Sequence, residues 1–582
     1  QTGTVPQSWK SSRLIPLLKA GKSLLDIASY HPIALARYVG KTMERIIQAR
    51  MGGYLEHYEI YPVSMTGFRR GHSSIDNVVD LVTYVQHQKA CKRLCAALFL
   101  DVKGAYDNVT HEAILSALET VGLGGKVYVW VYSYLQLRSF YVMTANGPTP
   151  DYYSSRGVPQ GGVLSPTLFN LTLIGLVEQL PSTVELSVYA DDICIWTSGV
   201  TRPQLRARLQ KAATTASCYL RKQGLEVSCG KCAVVAFTRK PMSAYSISIN
   251  EEYISFSRSH RFLGVIIDRN LSWTSHVNYV RKRLIGTCHM FKFLAGKNWG
   301  VPIPSMLQLY RVLFIGFLRY SLPAMSNTGK TNLRAIQSIQ AQALKICLGI
   351  PRSASTAETI AIAQDHSINT HIITETMRMH LRHYARTPSH HLASLAAERP
   401  RTTYGTIVSK HRSSFAETYA PASKPLLPPW SLSRPRVHLM IPGMRRKSDL
   451  PTHALKQLSL SLLEENYSNH VHIYTDGSTT PSSSGGAVVI PSQGVTRCFK
   501  TSHVTTSTTA ELEALRNALE HINSEERPGK WAVFSDSKPA LQCLISVLRR
   551  GCHDQLTYQT VKLHHLLIQK GHDIVFQWLP GH

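Results

Sequence analysis

Hydrophobic and polar positions alternate along Leu186-Ser-Val-Tyr-Ala-Asp-Asp-Ile-Cys-Ile-Trp196, with Leu186 and Val188 before the polar centre and Ile193 and Ile195 after it. A period of two on both sides of a short break predicts two strands joined by a tight turn, with Asp191 and Asp192 at its tip. Upstream, Ala96-Ala-Leu-Phe-Leu-Asp101 is an unbroken apolar run that ends in an acid, the pattern of a buried central strand. Trp9 to Lys22 predicts a strand followed by a basic turn within a basic, largely helical stretch of 90 residues. From about 270 the period changes to that of helices. Val277, Val280 and Leu284 share one face, as do Leu309, Leu313 and Phe317, and then Ile336, Ile339, Ala343 and Ile346. Residues 385–465 are rich in proline, serine and cations, as in Lys424-Pro-Leu-Leu-Pro-Pro-Trp430, and predict a linker of low order with short helices. Beyond it two more strands end in acids, at Asp476 and Asp536, and a helix start carries Glu511 three residues after Thr508.

The acids at the strand ends change the picture from fold to chemistry. Two neighbouring carboxylates repel each other, and a buried pair raises its own pKa unless a cation joins it. A divalent metal removes that conflict, whereas an Asp-Asp turn standing alone is commonly a solvated turn. With the Ala96–Asp101 strand beside the hairpin, Asp101 meets Asp191 across the sheet. Two metals held by that pair would form the clamp used for in-line phosphoryl transfer. Between these acids lies Arg156-Gly-Val-Pro-Gln-Gly-Gly-Val-Leu-Ser-Pro166. Its glycines and Pro159 force a turn with close backbone approach, and the apolar run after Ser165 predicts a helix with Pro166 in its first turn. Asp476, Glu511 and Asp536, from three separate elements, can converge on metals in the same way; Glu511 can alternatively close a capping box with Thr508. Cys229 and Cys232 have metal-ligand spacing, but no second pair sits at finger distance.

Composition narrows the partner. The 582 residues leave room for three or more domains, and 64 Lys plus Arg against 36 Asp plus Glu give a formal net charge of +28. That excess suits a polyanion such as nucleic acid. A membrane surface is the alternative, but no long charge-free apolar span exists; Leu309 to Met325 is interrupted by Arg311 and Arg319. Eleven cysteines without a paired framework fit a reducing compartment. No signal peptide opens the chain, and Gln1 reads as a beginning within a longer protein.

The order acid strand, glycine loop, helix, Asp-Asp hairpin resembles the polymerase protein of non-LTR (LINE-type) retrotransposons, in the group that carries an RNase H domain. Phe99-x-Asp101-x-x-x-Ala-Tyr106-Asp107 resembles reverse-transcriptase motif A, Gly157 to Pro166 motif B, Tyr189-Ala-Asp-Asp192 motif C, and Gly224 to Phe237 motif D. Val471 to Ser478, Thr508 to Leu515, Trp531 to Ser537 and Phe576 to His582 resemble type 1 RNase H. The resemblance implies an α+β multidomain fold: a right-hand polymerase with fingers (1–90), palm (91–268) and a thumb-like helical region (269–365), a connection (366–465), and an RNase H-like α/β domain (466–582) truncated at its C-terminus. It implies an RNA-directed DNA polymerase that extends a DNA primer or target on an RNA template with dNTPs, two Mg2+ ions per active site, and an RNase H activity on RNA–DNA hybrids. It places the protein inside the cell, in a nuclear and cytoplasmic ribonucleoprotein, away from membranes.

The residue roles follow from the same resemblance. Asp101 and Asp191 would hold the polymerase metals, with Asp192 and Asp107 close by. Tyr106 would block the ribose 2′-hydroxyl, or is a core aromatic. Gln160 would contact the incoming nucleotide, and Lys231 would protonate the pyrophosphate or is a surface lysine. Lys19 and Lys22 would hold template and triphosphate, or belong to a solvated loop. Arg69 and Arg70 would touch the template, or form a basic turn before a helix that Ser74 caps. His31 stands where the family usually carries Arg, and Phe262 to Asp268 resembles the primer-grip hairpin. Asp476, Glu511 and Asp536 would be the RNase H ligands, with His582 in the mobile histidine segment and a fourth acid expected beyond it. Two other readings stay open. One is a catalytically decayed nucleic-acid-binding remnant. The other is an intron-encoded or telomerase-like reverse transcriptase, which the RNase H segment opposes.

Overall fold

A computed structural model describes residues 3–19, 21–26, 29–239, 242, 245–296, 300–386, 391–412, 431–444, 451–550 and 555–581. The chain divides into two compact units, Gln1–Gln48 with Glu59–Pro421, and Ala49–Tyr58 with Ala422–His582.

The first unit opens with β1 (Ser11–Leu18) and β2 (Tyr30–Ala36), an antiparallel pair in which Leu14 faces Ala34 and Leu17 faces His31. Strand alternation puts Ser12, Leu14, Ala34 and Ala36 on one face and Leu17, His31 and Ile33 on the other. The helices α1 (Tyr38–His57) and α2 (Ser74–Ala90) follow. The cap of α2 is Ser73, one residue before the expected Ser74: Ser73 is extended, and its N–H donates to Asp76 Oδ2 at 2.8 Å. The Ser74 hydroxyl instead pairs with the Tyr320 hydroxyl at 2.8 Å.

The centre of the unit is β3 (Leu94–Lys103), in which Cys95 to Leu100 are all buried. A strand this apolar must be covered on both faces, and it lies inside a sheet with helices packed on it. The strand β4 (Arg138–Thr144) leaves this region and pairs in parallel with β1. Then come α3 (Ser165–Thr172), the hairpin β5 (Glu185–Tyr189) and β6 (Asp192–Gly199), and α4 (Arg202–Lys222). β3 runs between β6 and β7 (Ala233–Ala236), antiparallel to both, and α2 and α4 pack against it. The pair β8 (Ser259–Phe262) and β9 (Val265–Asp268) forms the expected hairpin, with Leu263 and Gly264 both at positive φ as a type I′ turn requires.

Helices complete the unit. α5 (Thr274–Leu294) buries Val277, Val280 and Leu284 together with Cys288 and Phe291. The face expected from Leu309, Leu313 and Phe317 is displaced: Tyr310, Phe314, Ile315 and Leu318 are buried, and Leu313 is exposed. A π-helical turn at Tyr310–Ile315 explains this, because it inserts one residue and rotates the inward face. α6 (Lys330–Leu348) buries Ile336, Ile339 and Ala343 as expected. The tract from 385, read from composition as a linker with short helices, is helical over much of its described part as far as His411. α7 (Ile368–Arg386), α8 (His391–Glu398) and α9 (Thr403–His411) follow one another, and Leu395, Ala396, Tyr404 and Val408 join the core of α5 and α6. Their charges tie them to α2: buried Asp76 accepts from Arg382 and, at 3.1 Å, pairs with His383 Nε2, while Asp80 accepts from Arg399 at 2.7 Å. Lys424 to Trp430 lies outside the described residues.

The second unit holds a six-stranded sheet. In chain order its elements are β10 (Arg436–His438), α10 (Thr452–Tyr467), β11 (Val471–Thr479), β12 (Ser484–Ile490), β13 (Val495–Lys500), α11 (Ser507–Asn523), β14 (Lys530–Ser535), α12 (Lys538–Arg550), α13 (Gln555–Gln569) and β15 (Asp573–Trp578). The strand order is β10-β15-β14-β11-β12-β13, with β11 to β13 an antiparallel meander and the other pairings parallel. Each parallel step needs a crossover, which α11 supplies before β14 and α12 with α13 before β15. Ile473, Val533, Phe534, Ile574 and Phe576 of the sheet pack with Leu512, Leu515 and Leu519 of α11. Among the described residues no helix is long and apolar enough to cross a membrane.

Candidate active sites

In the first unit the register of β3 on β6 runs from Leu94↔Gly199 to Asp101↔Asp192. Asp101 therefore faces Asp192, the first residue of β6, and not Asp191, which the sequence had set across the sheet from it. Asp191 sits in the two-residue turn that Tyr189 and Asp192 close. The turn needs Ala190 at φ +56°, a left-handed conformation that costs a side-chain-bearing residue on the order of 1 kcal/mol. The surroundings hold it there. Thr66 N donates to Val188 O at 3.1 Å, Val188 N donates to Ser64 O at 2.9 Å, and Asn170 Nδ2 of α3 fixes Gly67 O at 2.7 Å. A side chain at Gly67 would come within 2.7 Å of Ala190 N, so this glycine is what lets the loop lie against the turn.

Three carboxylates thus gather at one end of the sheet, together with cations. Lys231 Nζ lies 3.2 Å from Asp101 Oδ2. Burial raises the Asp191 pKa and Asp101 adds to the rise, while Lys231 and His31 pull it down. Asp192 is pushed up to about 6 by burial and then by Asp191 and Asp101. Such displacements mark carboxylates whose shared charge calls for a cation. Their oxygens are hard donors of the kind that Mg2+ accepts.

In the second unit Thr475 of β11 and Ser535 of β14 are register partners, so the next residues, Asp476 and Asp536, leave adjacent strands side by side. Glu511 reaches them from α11. The cap of α11 is Thr506, whose hydroxyl accepts from Thr509 N at 3.2 Å. Thr508 is already inside the helix, so the capping-box alternative for Glu511 fails and its carboxylate is available to the site. Gly477 is required here, because a Cβ would meet Glu511 N at 2.4 Å. Oxygens of Asp476, Glu511 and Asp536 lie within 4.8 Å of one another, and Glu511 Oε2 is buried without a hydrogen-bond partner. Burial, then Asp536, pushes the Glu511 pKa up to about 7, against a hydrogen bond from Gly477. A buried, unpaired carboxylate oxygen beside two other acids fits a divalent cation. A groove of about 350 Å³ opens beside Asp476, lined by Ser478, Ser483 and Lys500.

Residues 18–267 match the family described as reverse transcriptase (RNA-dependent DNA polymerase), and residues 468–582 match RNase H. The "RNA-directed DNA polymerase from mobile element jockey" of Drosophila melanogaster is 26% identical over 60% of this chain and 39% of its own length. The "Probable RNA-directed DNA polymerase from transposon X-element" of the same organism is 26% identical over 59% of this chain and 38% of that protein. The chain carries a reverse transcriptase domain followed by an RNase H domain. It spans about two fifths of the length of these relatives. A solved structure of telomerase from Candida Tropicalis with a fragment of telomeric RNA is 13% identical and covers 70% of this chain and 62% of its own, with a TM-score of 0.36.

With the reverse transcriptase and RNase H domains identified, each expected site residue except His582 has a position. Tyr106 follows the end of β3, half-buried, packed against Phe169 of α3 with ring centroids 5.1 Å apart and the planes tilted by 31°. Burial and then Asp191 raise its pKa, which fixes it as a neutral phenol near the acids. Gln160 Nε2 donates to Asp107 Oδ2 at 2.7 Å, and its backbone carbonyl accepts from Ala34 N of β2 at 2.7 Å. Lys19 and Lys22 are exposed at the far end of the β1–β2 pair, joined by a 3.2 Å backbone hydrogen bond. Arg69 donates Nη1 to Pro62 O and Met65 O at 3.1 and 2.8 Å and lies over the Tyr61 ring, so its guanidinium braces its own loop. Arg70 is its half-buried neighbour. His582 lies outside the described residues; Gly581 before it packs directly on Asp536.

Among the described residues, Asp101, Asp191 and Asp192 do not close to the spacing seen in the RNase H triad. His72, Asp76 and His383 do, but the Asp76 carboxylate is already engaged by Ser73 N–H, Arg382 and His383. Sequence reasoning missed two buried charged residues beneath the glycine loop. Glu44 Oε2 of α1 accepts from Val163 N at 2.7 Å and Leu164 N at 3.2 Å. Arg138 Nη2 of β4 donates to Gly157 O at 2.7 Å and Arg156 O at 3.1 Å. Neither carries a local signature, since each partner is many residues away in the chain.

Proposed function

We propose that the protein extends a DNA primer on an RNA template from dNTPs, and that its RNase H domain cuts the RNA strand of the resulting hybrid. The observation that carries this reading is the β3–β6 register, which brings Asp101 and Asp192 together beside Asp191 at one end of a buried sheet. Asp101 and Asp191 would hold the metals of the polymerase site, and Asp476, Glu511 and Asp536 those of the RNase H site, with Mg2+ the natural ion for all-oxygen donors. Metals held by these residues would supply Lewis acidity to the attacking hydroxyl and charge for the leaving group.

The remaining tasks fall to the protein's own side chains. Tyr106, braced by Phe169, presents a rigid ring to the sugar of the incoming nucleotide and selects against a 2′-hydroxyl. Gln160, tethered to Asp107, contacts that nucleotide from the loop. Lys231 carries a proton toward the pyrophosphate once nucleotide binding draws it from Asp101. His31, close enough to Asp191 to influence its charge, faces the triphosphate. The net charge of +28 supplies the attraction for template and hybrid. The test is primer extension by purified protein on an RNA template with Mg2+ and dNTPs. Extension that stops on chelation supports the reading, and a folded protein that binds RNA without extending a primer refutes it.

A further inference from the structure

The loop Arg156–Leu164 carries Gln160, yet packing alone does not set its position. One side of it borders a cleft of about 280 Å³ lined by Trp9, Leu14, Ala34, Phe140 and the loop itself. Backbone bonds from Gly157 N to Val109 O, Val158 N to Tyr106 O and Ala34 N to Gln160 O, each 2.7 Å, hold part of the loop, and two charged side chains that are almost wholly buried hold its ends. Glu44 is 2% exposed and Arg138 is 8% exposed. Glu44 gives one oxygen to two N–H groups at the start of α3, Val163 and Leu164. An anion there also meets the positive end of the helix. Arg138 holds the other end of the loop by the carbonyls of Arg156 and Gly157, and His111 Nε2 lies 3.2 Å from that same Gly157 oxygen. Gly157 at φ +74° allows this, since a side chain there would strike the Asp107 and Tyr106 carbonyls. Gln160 therefore lies between two buried anchors, with its backbone carbonyl bonded to Ala34 N and its amide to Asp107 Oδ2.

We propose that Glu44 is a positioning residue for nucleotide selection, acting through the loop and not by touching the nucleotide. This rests on the polymerase reading given above. A buried carboxylate is costly unless its oxygens are used, and removing it leaves two N–H groups without an acceptor. The loop then relaxes toward the cleft and Gln160 leaves its place. The consequence falls on the binding of the incoming nucleotide, while Asp101, held by β3, and Asp191 and Asp192, held by the β5–β6 hairpin, stay where they are.

The experiment compares Glu44→Ala and Glu44→Gln with the unaltered chain in single-nucleotide primer extension, with hybrid binding measured alongside. Glu44→Ala should raise the KM for the dNTP at least tenfold, with kcat and hybrid affinity within threefold of the unaltered protein. Glu44→Gln keeps an oxygen able to accept from both N–H groups and should restore KM to within threefold. A fall in kcat that tracks the folded fraction at unchanged KM would overturn the proposal by showing a structural role alone. So would a Gln variant as impaired as the Ala variant. An unaltered protein that extends no primer would instead refute the polymerase reading, so the two failures are separable.

Discussion

Replacing Glu511 by Gln tests whether the RNase H carboxylates are arranged for a cation. Without metal, the buried Glu511 carboxyl titrates at about 7 instead of the ordinary 4.5. The folded domain therefore prefers it protonated. That contribution is complete below about pH 4.5 and is lost as the pH rises through about 7. At about 1.4 kcal/mol per pH unit of displacement, ionised Glu511 costs the metal-free domain about 3 kcal/mol at pH 8 and about 1 kcal/mol at pH 5.5. Glu511→Gln removes the charge and keeps the shape. In EDTA it should be more stable than the unaltered protein by about 3 kcal/mol at pH 8 and by about 1 kcal/mol at pH 5.5. Adding Mg2+ at pH 8 should stabilise the unaltered domain and leave the variant where it was. Urea denaturation of the full chain read by pulse proteolysis, which separates the second unit's fragments, gives these differences. Equal stability of the two proteins in EDTA at pH 8, or an equal response of both to Mg2+, would show that Glu511 is not strained by its neighbours and does not ligate metal.

Two further outcomes follow from the polymerase site. Tyr106→Ala should raise ribonucleotide incorporation by at least tenfold relative to deoxynucleotide; unchanged discrimination between the two sugars would make Tyr106 a packing partner of Phe169 only. His31→Arg should lower the KM for dNTP severalfold, because a guanidinium offers a fixed charge and a planar fork of donors that an imidazole lacks. An unaltered KM would show that His31 faces away from the triphosphate.

What could be read from the sequence was local. The alternation of Leu186 and Val188 with Ile193 and Ile195 is enough to specify a hairpin with acids at its tip, because side-chain direction in a strand depends only on position parity. The apolar run before Asp101 likewise requires burial. What could not be read depends on distant partners or on small changes of local geometry. The facing of Asp101 with Asp192 is set by the register of two strands nearly a hundred residues apart. One extra residue in the π-turn at Tyr310–Ile315 moved the buried face off Leu313. Composition read the tract of α8 and α9 as a linker with short helices; that Leu395, Tyr404 and Val408 seat those helices in the core depends on partners elsewhere in the chain. The cap expected at Ser74 is Ser73, and the alternative cap Thr508 lies two residues past the actual cap Thr506, because runs of Ser and Thr offer several equivalent caps. Glu44 gave no signal at all, because the N–H groups it serves lie on another element.

The most direct measurement pairs two readings on one substitution. Asp191→Asn removes a single carboxylate charge at the tip of the β5–β6 turn and leaves the basic surface and the fold of the sheet unchanged. Primer extension on an RNA template with Mg2+ and binding of the same primer–template should be measured on both proteins. The unaltered protein should extend the primer, and Asp191→Asn should lose extension by at least a thousandfold while its affinity for the primer–template stays within threefold. Extension that survives in Asp191→Asn would contradict the account, since the carboxylates gathered by the β3–β6 register would then not be the centre of catalysis.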